Sequence, residues 1–167
     1  MSDGLTTEAI ARVGIGTDLH RLTDGRPLLL GHVRIDHEQG LAGHSDGDVL
    51  LHAVIDAIAG AAGLPDIGEM FPDTDQRYKD ADSGRLLERT MQVARQHGWD
   101  VVNVDVVVHA ERPRLSGYKT AIQAEVARLL AIDTERVSIK AKTGEGLDAV
   151  GRGEAIGCTA VVGMKRI

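Results

Sequence analysis

The chain has 167 residues, which fits one domain that buries about two thirds of its unfolded surface. Its formal net charge is -6 and it has no basic run, which argues against nucleic acid or an anionic membrane surface as partner. The single cysteine, Cys158, excludes an internal disulfide, and no segment reads as a signal peptide or a transmembrane span. We therefore expect a cytoplasmic protein, with a flexible extension over residues 1–10 and one domain over residues 11–167.

The first half of the chain predicts a strand, a hairpin, a helix and an irregular loop. These four segments cover residues 12–20, 27–35, 46–62 and 66–79, respectively. Gly14 and Gly16 in the strand permit another backbone to approach closely. Gly63 is expected to end the helix, and Pro72 together with several aspartates makes the loop irregular.

The second half predicts two further amphipathic helices and three strands. The helices cover residues 82–97 and 116–132, and the strands cover residues 101–110, 137–142 and 155–164. Asp82 or Ser83 is expected to cap the first of these helices. The strand over 101–110 is rich in β-branched residues and is expected to be buried on both faces. The imperfect alternation of elements predicts an α+β fold, a single-domain mixed-sheet sandwich with helices packed on one face.

Histidines and aspartates are concentrated in the segment from His44 to His52. His44, Asp48, His52 and Asp56 are four residues apart and would lie along one side of a helix. A polar stripe that faces water is the alternative interpretation, although such stripes usually carry Lys, Glu and Arg.

Two residues of the first strand complete a possible metal site. Asp18 and His20 are two residues apart, so their side chains point to the same side of a strand. With one helical histidine they form an Asp/His/His set that suits zinc and leaves a fourth position open. His52 lies deeper in the apolar segment than His44, which makes His52 the better ligand and leaves His44 for substrate.

A glycine-rich turn after the strand over 137–142 is a candidate anion site. The backbone and hydroxyl of the segment Lys142–Gly146 could approach phosphate oxygens, and Glu145 could hold Mg²⁺ beside them. Arg152 could offer its guanidinium fork to a diphosphate. The alternative is a glycine-rich turn with solvated charges. The spacing matches neither a Walker A loop nor a dinucleotide fingerprint.

Together these segments resemble the 2-C-methyl-D-erythritol 2,4-cyclodiphosphate synthase family from about Arg12 onward. The most specific blocks are Gly16–His20, His44–His52, Asp66–Gly68, Phe71–Asp75, Ala81–Ser83 and Gly151–Glu154. The resemblance implies a phosphorus–oxygen lyase of the non-mevalonate isoprenoid pathway. Such an enzyme converts 4-diphosphocytidyl-2-C-methyl-D-erythritol 2-phosphate into the 2,4-cyclodiphosphate and releases CMP. It also implies a homotrimer with active sites at subunit interfaces, and a hydrophobic isoprenoid ligand is a further candidate on the trimer axis.

The resemblance also implies a role for each matching residue. Zn²⁺, or another divalent transition metal, would be held by Asp18, His20 and His52. The methylerythritol phosphate would be bound by Asp18, His20, His44, Ser45, Asp66, Ile67, Gly68, Phe71, Pro72, Asp73, Thr74 and Asp75. The cytidine would be bound by Ala110, Glu111, Arg112, Pro113, Arg114, Leu115 and Ser116. The diphosphate would be bound by Lys142, Thr143, Gly144, Glu145 and Arg152, with Glu145 also holding Mg²⁺ or Mn²⁺. His44 and Thr143 match the positions assigned to transition-state stabilisation.

The chain departs from the family pattern in two places, and two other functions remain open. Asp148-Ala149-Val150 replaces a glycine that is usually followed by a bulky apolar residue, and Gly144 replaces a common Thr or Asn. One alternative function is a zinc hydrolase of a phosphoester or nucleotide. The other is a non-catalytic trimer that binds a metal or an isoprenoid diphosphate.

Overall fold

The computed structural model describes residues 10–167, so the predicted extension lies almost wholly outside the described residues. Its strands are β1 (Arg12–Thr23), β2 (Leu28–Leu30), β3 (Val33–Ile35), β4 (Gly40–Leu41), β5 (Trp99–His109), β6 (Val137–Lys142) and β7 (Ala155–Arg166). Five of them form one sheet in the order β4-β1-β7-β5-β6, in which only β5 and β6 run parallel. The predicted hairpin is confirmed as the separate pair β2 and β3.

The helices pack on one face of the sheet, as expected. They are α1 (Val49–Ala62), α2 (Ile67–Met70), α3 (Ser83–Gln96), α4 (Lys119–Leu130) and α5 (Asp148–Gly151). α1 lies on β1 and β7, α3 packs against α1, and α4 covers β6. Every residue of α1 is buried except Asp56 and Gly60, because this helix is covered by the sheet on one side and by α3 on the other. Among residues 10–167, no helix is both long and apolar enough to cross a bilayer.

Two glycines bring α1 into backbone contact with β1. A Cβ atom at Gly14 would lie 1.9 Å from the carbonyl oxygen of Ala57, and one at Gly16 would lie 2.0 Å from that of Ala53. These distances are far below van der Waals contact, so only glycine permits this helix–strand approach. The predicted role of the two glycines is confirmed. The approach places the middle of α1 directly opposite the middle of β1.

Several predicted elements differ from the structure. α1 begins at Val49 rather than at residue 46, because Asp48 is its N-cap and accepts a hydrogen bond from the Leu51 N–H at 3.1 Å. His44 therefore precedes the helix, and the predicted four-residue stripe along one helix is wrong. The loop over 66–79 contains α2 and a 3₁₀ turn at Gln76–Tyr78. β4 and α5 were not predicted.

The strand over 101–110 is not buried on both faces. Val104, Val106 and Val108 of β5 are buried against the helices, whereas Asp105 and His109 point to the opposite face and are partly exposed. The physical reason is that the helices cover one side of the sheet only. On the uncovered side, apolar side chains of β1 are largely solvent-exposed, namely Val13 (64%), Ile15 (67%) and Leu19 (60%).

Candidate metal centre and substrate cavities

The close contact of β1 and α1 brings Asp18, His20 and His52 together as the sequence predicts. His20 Nε2 lies 2.7 Å from Asp18 Oδ2, and His52 Nδ1 lies 3.0 Å from the same oxygen. The two imidazole nitrogens are 3.3 Å apart. All three side chains thus offer one ligand atom to the same small volume, and they are the only such group among the described residues.

The His20 ring is oriented by the backbone. Its Nδ1–H donates to the Ala42 carbonyl, so the lone pair of the neutral ring lies on Nε2 and faces Asp18. Burial by itself lowers the pKa of His20, but the hydrogen bonds to Asp18 and Ala42 outweigh it, and the pKa is raised. Burial likewise raises the pKa of Asp18, but its contacts with the His20 and His52 rings dominate and lower it below its ordinary range. A positive charge is therefore favoured beside this carboxylate.

The other nitrogen of His52 contacts two hydroxyl groups. His52 Nε2 lies 3.0 Å from Ser83 Oγ at the start of α3 and 3.1 Å from Ser45 Oγ. The Ser83 Oγ in turn contacts Asp46 Oδ1, and the Ser83 N–H donates to Asp46 Oδ2 at 2.9 Å. Asp46 and Ser83 were not predicted as site residues. The block His44–His52 contains Asp46, which the sequence leaves without an assigned role beyond orienting the helix start or the histidines. The block Ala81–Ser83 contains Ser83 and predicts a helix cap, a role that Asp82 fills.

Asp48 and Asp56 stabilise the backbone around the cluster. Asp48 is fully buried and accepts the Gly31 and His32 N–H groups besides that of Leu51. Burial raises the pKa of Asp48 despite these hydrogen bonds. Asp56, one turn after His52, accepts the Ile67 N–H at 2.8 Å and so ties α2 to α1. Burial also raises the pKa of Asp56.

The three candidate ligands open into a cavity of about 480 Å³. Its walls are Asp18, His20, His44, Ser45, His52, Ile67, Gly68, Phe71, Asp73, Tyr78 and Leu86. His44 Nε2 is buried there without a hydrogen-bond partner among the described residues. Tyr78 and Leu86 were not predicted. Tyr78 packs edge-on against Phe71 with ring centroids 5.3 Å apart, and this contact shapes the wall.

Four residues predicted for this cavity do not line it. Asp66 is the N-cap of α2 and accepts the Glu69 N–H, and Asp75 is bound by the Arg77 guanidinium. Pro72 and Thr74 belong to the same loop but are also absent from the cavity wall. The carboxylates of both aspartates bind donors within their own turns, because short helical turns leave N–H groups that need acceptors.

A second cavity, of about 230 Å³, brings together the two segments predicted to bind cytidine and diphosphate. Its walls are Ala110, Glu111, Pro113, Arg114, Leu115, Ser116, Lys119, Ala141, Lys142 and Thr143. Arg112 does not line it and lies instead beside Arg152 in a separate depression. The second cavity shares no wall residue with the first.

The turn after β6 is exposed and is held by Glu111. The Gly144 N–H donates to Glu111 Oε2 at 3.1 Å, so both groups predicted to contact substrate are already used by the turn. Gly144 is packed against α5, since a Cβ there would lie 2.6 Å from the Gly151 nitrogen. Glu145 adopts a left-handed conformation (φ 50°), and its side chain is exposed and is not part of the Asp18/His20/His52 group. The Arg152 fork is engaged by Glu154 at 2.9 Å.

Cys158 is a core residue, as expected. It is buried in β7, and burial raises the pKa of its thiol. Its side chain is therefore kept as the neutral thiol.

The residues of the cluster fit a divalent transition metal. Asp18 Oδ2, His20 Nε2 and His52 Nδ1 are all acceptors when the rings are neutral. His52 is buried and the other two are partly buried, so three such acceptors in mutual contact favour a cation between them. Two imidazoles and one carboxylate are ligands that zinc prefers, and three protein ligands leave one position for substrate. The adjoining cavity supplies the space on the open side.

Comparison with known proteins gives one consistent answer. The sequence profile of the YgbB family matches residues 11–165. The 2-C-methyl-D-erythritol 2,4-cyclodiphosphate synthase of Bordetella avium is 55% identical over 93% of this chain and 96% of its own length. The enzyme of that name from Geobacillus kaustophilus is 50% identical over 93% of this chain and 98% of its own length.

Solved structures agree with the sequence comparison. A 2C-methyl-D-erythritol-2,4-cyclodiphosphate synthase in its CDP-bound form has a TM-score of 0.86 at 36% identity, covering 92% of this chain and 100% of that one. The bifunctional IspDF from Campylobacter jejuni has a TM-score of 0.90 at 43% identity, covering 93% of this chain but 42% of that one. The identity, the coverage and the shared fold leave one conclusion, that the chain belongs to the YgbB family.

Proposed function

We propose that this chain is a 2-C-methyl-D-erythritol 2,4-cyclodiphosphate synthase. It converts 4-diphosphocytidyl-2-C-methyl-D-erythritol 2-phosphate into the cyclodiphosphate and CMP in the non-mevalonate isoprenoid pathway. The observation that carries the proposal is the Asp18/His20/His52 cluster at the wall of a cavity that His44 and Ser45 also line, in a chain 55% identical to a synthase of that name.

The reaction needs positioning and charge neutralisation rather than a protein nucleophile. An oxygen of the 2-phosphate attacks the β-phosphorus of the diphosphate. The bond from that phosphorus to the bridging oxygen breaks, and CMP leaves with this oxygen and its electron pair. Because both reacting groups are anionic, orientation and electrostatic stabilisation are the main contributions of the protein.

The first cavity would hold the methylerythritol phosphate. Zinc held by Asp18, His20 and His52 would polarise phosphate oxygens and offset their charge. The unpartnered, buried Nε2 of His44 is available to bind a phosphate oxygen in the transition state. Ile67 and Gly68 line the same wall, where Asp56 accepts the Ile67 N–H.

The second cavity would hold the cytidine and the diphosphate. Lys142 and Thr143 supply an ammonium group and a hydroxyl group at its edge. The exposed Glu145 carboxylate is free to hold Mg²⁺ or Mn²⁺, since such hard cations prefer oxygen ligands and are often shared with substrate phosphates. Arg152 would offset further phosphate charge from the adjoining depression.

We further propose that the active unit is a homotrimer whose sites combine the first cavity of one chain with the second cavity of its neighbour. Two observations support this. The exposed apolar side chains of β1 need a partner surface, and the two cavities of one chain share no wall residue.

The activity is tested by incubating purified protein with the diphosphocytidyl substrate, Zn²⁺ and Mg²⁺, and following phosphorus NMR. Stoichiometric CMP and cyclodiphosphate are expected. A linear phosphate product would indicate a zinc hydrolase, and no turnover by metal-replete protein would indicate a binding protein. Either result contradicts the proposal.

Site sharing is tested by co-refolding two inactive variants, His52→Ala and Lys142→Ala. Sedimentation velocity of each variant should give the mass of three chains. Mixed trimers are expected to regain activity, because some interfaces combine two intact halves. Sites contained within one chain would gain nothing from mixing, and a monomeric sedimentation coefficient would exclude the trimer.

A further inference from the structure

We infer that Asp46 and Ser83 are positioning residues that fix the tautomer of His52, so that its Nδ1 lone pair faces Asp18 and His20. The inference rests on the proposed metal site. It gives a role to the block Ala81–Ser83, which the substrate and metal assignments leave unused. Ser83 is fully buried at the first residue of α3, and it contacts His52 directly.

The direction of the Ser83 hydroxyl is set by Asp46. The Ser83 Oγ contacts Asp46 Oδ1, and the Ser83 N–H donates to Asp46 Oδ2 at 2.9 Å. A carboxylate accepts hydrogen bonds and has no proton to give. The single hydroxyl proton of Ser83 is therefore directed to Asp46.

This direction determines which nitrogen of His52 carries the proton. With its own proton given to Asp46, Ser83 Oγ can only accept a hydrogen bond from His52 Nε2, which lies 3.0 Å away. The neutral ring therefore has its proton on Nε2 and its lone pair on Nδ1. Nδ1 is the atom that lies 3.0 Å from Asp18 Oδ2 and 3.3 Å from His20 Nε2.

Ser45 cannot replace Ser83 in this role. Its Oγ also lies 3.1 Å from His52 Nε2 and accepts the Gly47 N–H at 3.3 Å. No carboxylate among the described residues fixes the Ser45 proton, so this hydroxyl is compatible with either tautomer of His52. The selection depends on the Asp46–Ser83 pair.

The Asp46–Ser83 pair is held in place by hydrogen bonds in the segments that precede α1 and α3. The Asp46 N–H donates to the Ala81 carbonyl at 3.0 Å, while Asp46 Oδ1 accepts the Asp48 N–H at 3.2 Å. The segment before α1 and the segment before α3 are thereby joined at the back of His52. For His20 the same task is performed by the Ala42 backbone carbonyl, so only His52 depends on side chains for its tautomer.

The test uses Ser83→Ala and Asp46→Asn, with Thr90→Val as matched control. Thr90 is also a fully buried hydroxyl of α3, but it donates to the Leu86 carbonyl one turn back and does not contact His52. Nitrogen-15 NMR of the histidine rings in metal-free protein should show the Nε2–H tautomer of His52 in the parent and in Thr90→Val. In Ser83→Ala and Asp46→Asn a mixture of tautomers is expected.

Zinc affinity, measured by competition with a chelator, provides the second readout. Loss of an outer-shell partner typically weakens metal binding about 10- to 100-fold, and this loss is expected for both variants but not for Thr90→Val. An unchanged His52 tautomer in Ser83→Ala and Asp46→Asn would overturn the inference. An equal loss of zinc affinity in Thr90→Val would do so too, because it would point to general loosening of α3. If the parent binds no zinc, the proposed metal site fails, whereas the tautomer measurement still decides the role of the pair.

Discussion

The side chains around the two cavities differ in burial and in how far hydrogen bonds fix their positions. Around the Asp18/His20/His52 cluster, the side chains of His52, Ser45, Ser83 and Asp48 are buried, and each has defined hydrogen-bond partners. In the turn after β6, by contrast, Lys142, Thr143 and Glu145 are exposed. Among residues 10–167, the Arg152 guanidinium is bound only by the carboxylate of Glu154, two residues further along the chain. The Asp18/His20/His52 cluster, here called the buried end, is therefore fixed by packing. The turn after β6 together with Arg152, here called the exposed end, has side chains that remain free to reorganise.

This contrast shows where each kind of ligand group can be placed. Imidazoles that must present a lone pair need a fixed ring orientation, and burial between β1, α1 and α3 provides it. Charges that meet a flexible, highly charged diphosphate lose less by staying hydrated until the substrate arrives. We therefore expect changes at the buried end to affect metal binding and stability, and changes at the exposed end to affect kinetics alone.

The largest effect is expected from His52→Ala at the buried end. Removing a ligand should cost more than the roughly 100-fold in metal affinity that the loss of an outer-shell partner costs. Elemental analysis should find the variant without zinc, and turnover should fall with it. His97→Ala is the control, because His97 lies at the end of α3 and its ring binds only the Val93 carbonyl among the described contacts. Full zinc in His52→Ala would remove this residue from the metal site.

Gly16→Ala tests whether packing beneath the cluster is as tight as the structure shows. A Cβ at Gly16 would lie 2.0 Å from the Ala53 carbonyl oxygen, so α1 must move, and we expect a loss of about 1–3 kcal/mol in unfolding free energy. Zinc affinity should fall as well, since His52 moves with α1.

The matched control for Gly16→Ala is Gly60→Ala. Gly60 belongs to α1, but an added Cβ meets nothing within 4 Å, and a gain of about 0.5–1 kcal/mol is expected from the helix propensity of alanine. Both values are measured by urea unfolding. Equal stabilities for the two variants would show that the β1–α1 contact is looser than the glycines indicate.

Arg152→Ala tests the exposed end. The fold should be unaffected, because Arg152 is exposed and its described partner is a neighbouring exposed carboxylate. We expect kcat/KM to fall roughly tenfold through loss of a charged hydrogen bond to phosphate, with the melting temperature and zinc content unchanged. Arg89→Ala, which removes an exposed arginine of α3 bound to Gln92, is the charge-matched control. Unchanged kinetics in Arg152→Ala would exclude this residue from the site.

The smallest effect is expected from a change at His32. Its ring bridges Glu125 at 2.9 Å and Asp82, the N-cap of α3, at 3.1 Å. Burial lowers the pKa of His32, but the two carboxylates outweigh it, and the pKa is raised above 6.5. The ion pairs therefore stabilise the fold fully below pH 6.5, and this contribution is lost as the pH rises through the raised pKa.

The comparison of parent protein with His32→Asn should show this dependence. Asparagine tolerates the left-handed backbone of residue 32 (φ 64°), and a parental advantage of at most about 1 kcal/mol is expected at low pH. Unfolding free energies measured at about pH 5.5 and about pH 8.5 should differ for the parent more than for the variant. A difference between the two proteins that does not shrink at the higher pH would contradict the ion-pair role.

Sequence patterns predicted most elements because their signals are local. Gly63 ends α1 in the left-handed conformation, and Asp82 caps α3, as each residue type favours. The cluster of Asp18, His20 and His52 was also predicted, from strand alternation and from the apolar setting of His52. The burial of β5 on both faces was predicted wrongly, because β-branched composition does not reveal which side of a sheet the helices cover.

Most elements, the three candidate ligands and the family follow from the amino-acid sequence, since they depend on periodicity, residue type and short family-specific blocks along the chain. Which carboxylates face the cavity, and which bind other donors, depends instead on the three-dimensional packing. Asp66 and Asp75 are bound by local turns, while Asp46 reaches across to Ser83 at the start of α3. The physical reason is that a carboxylate binds whichever donor the fold brings near, and that donor can be 37 residues away in the chain.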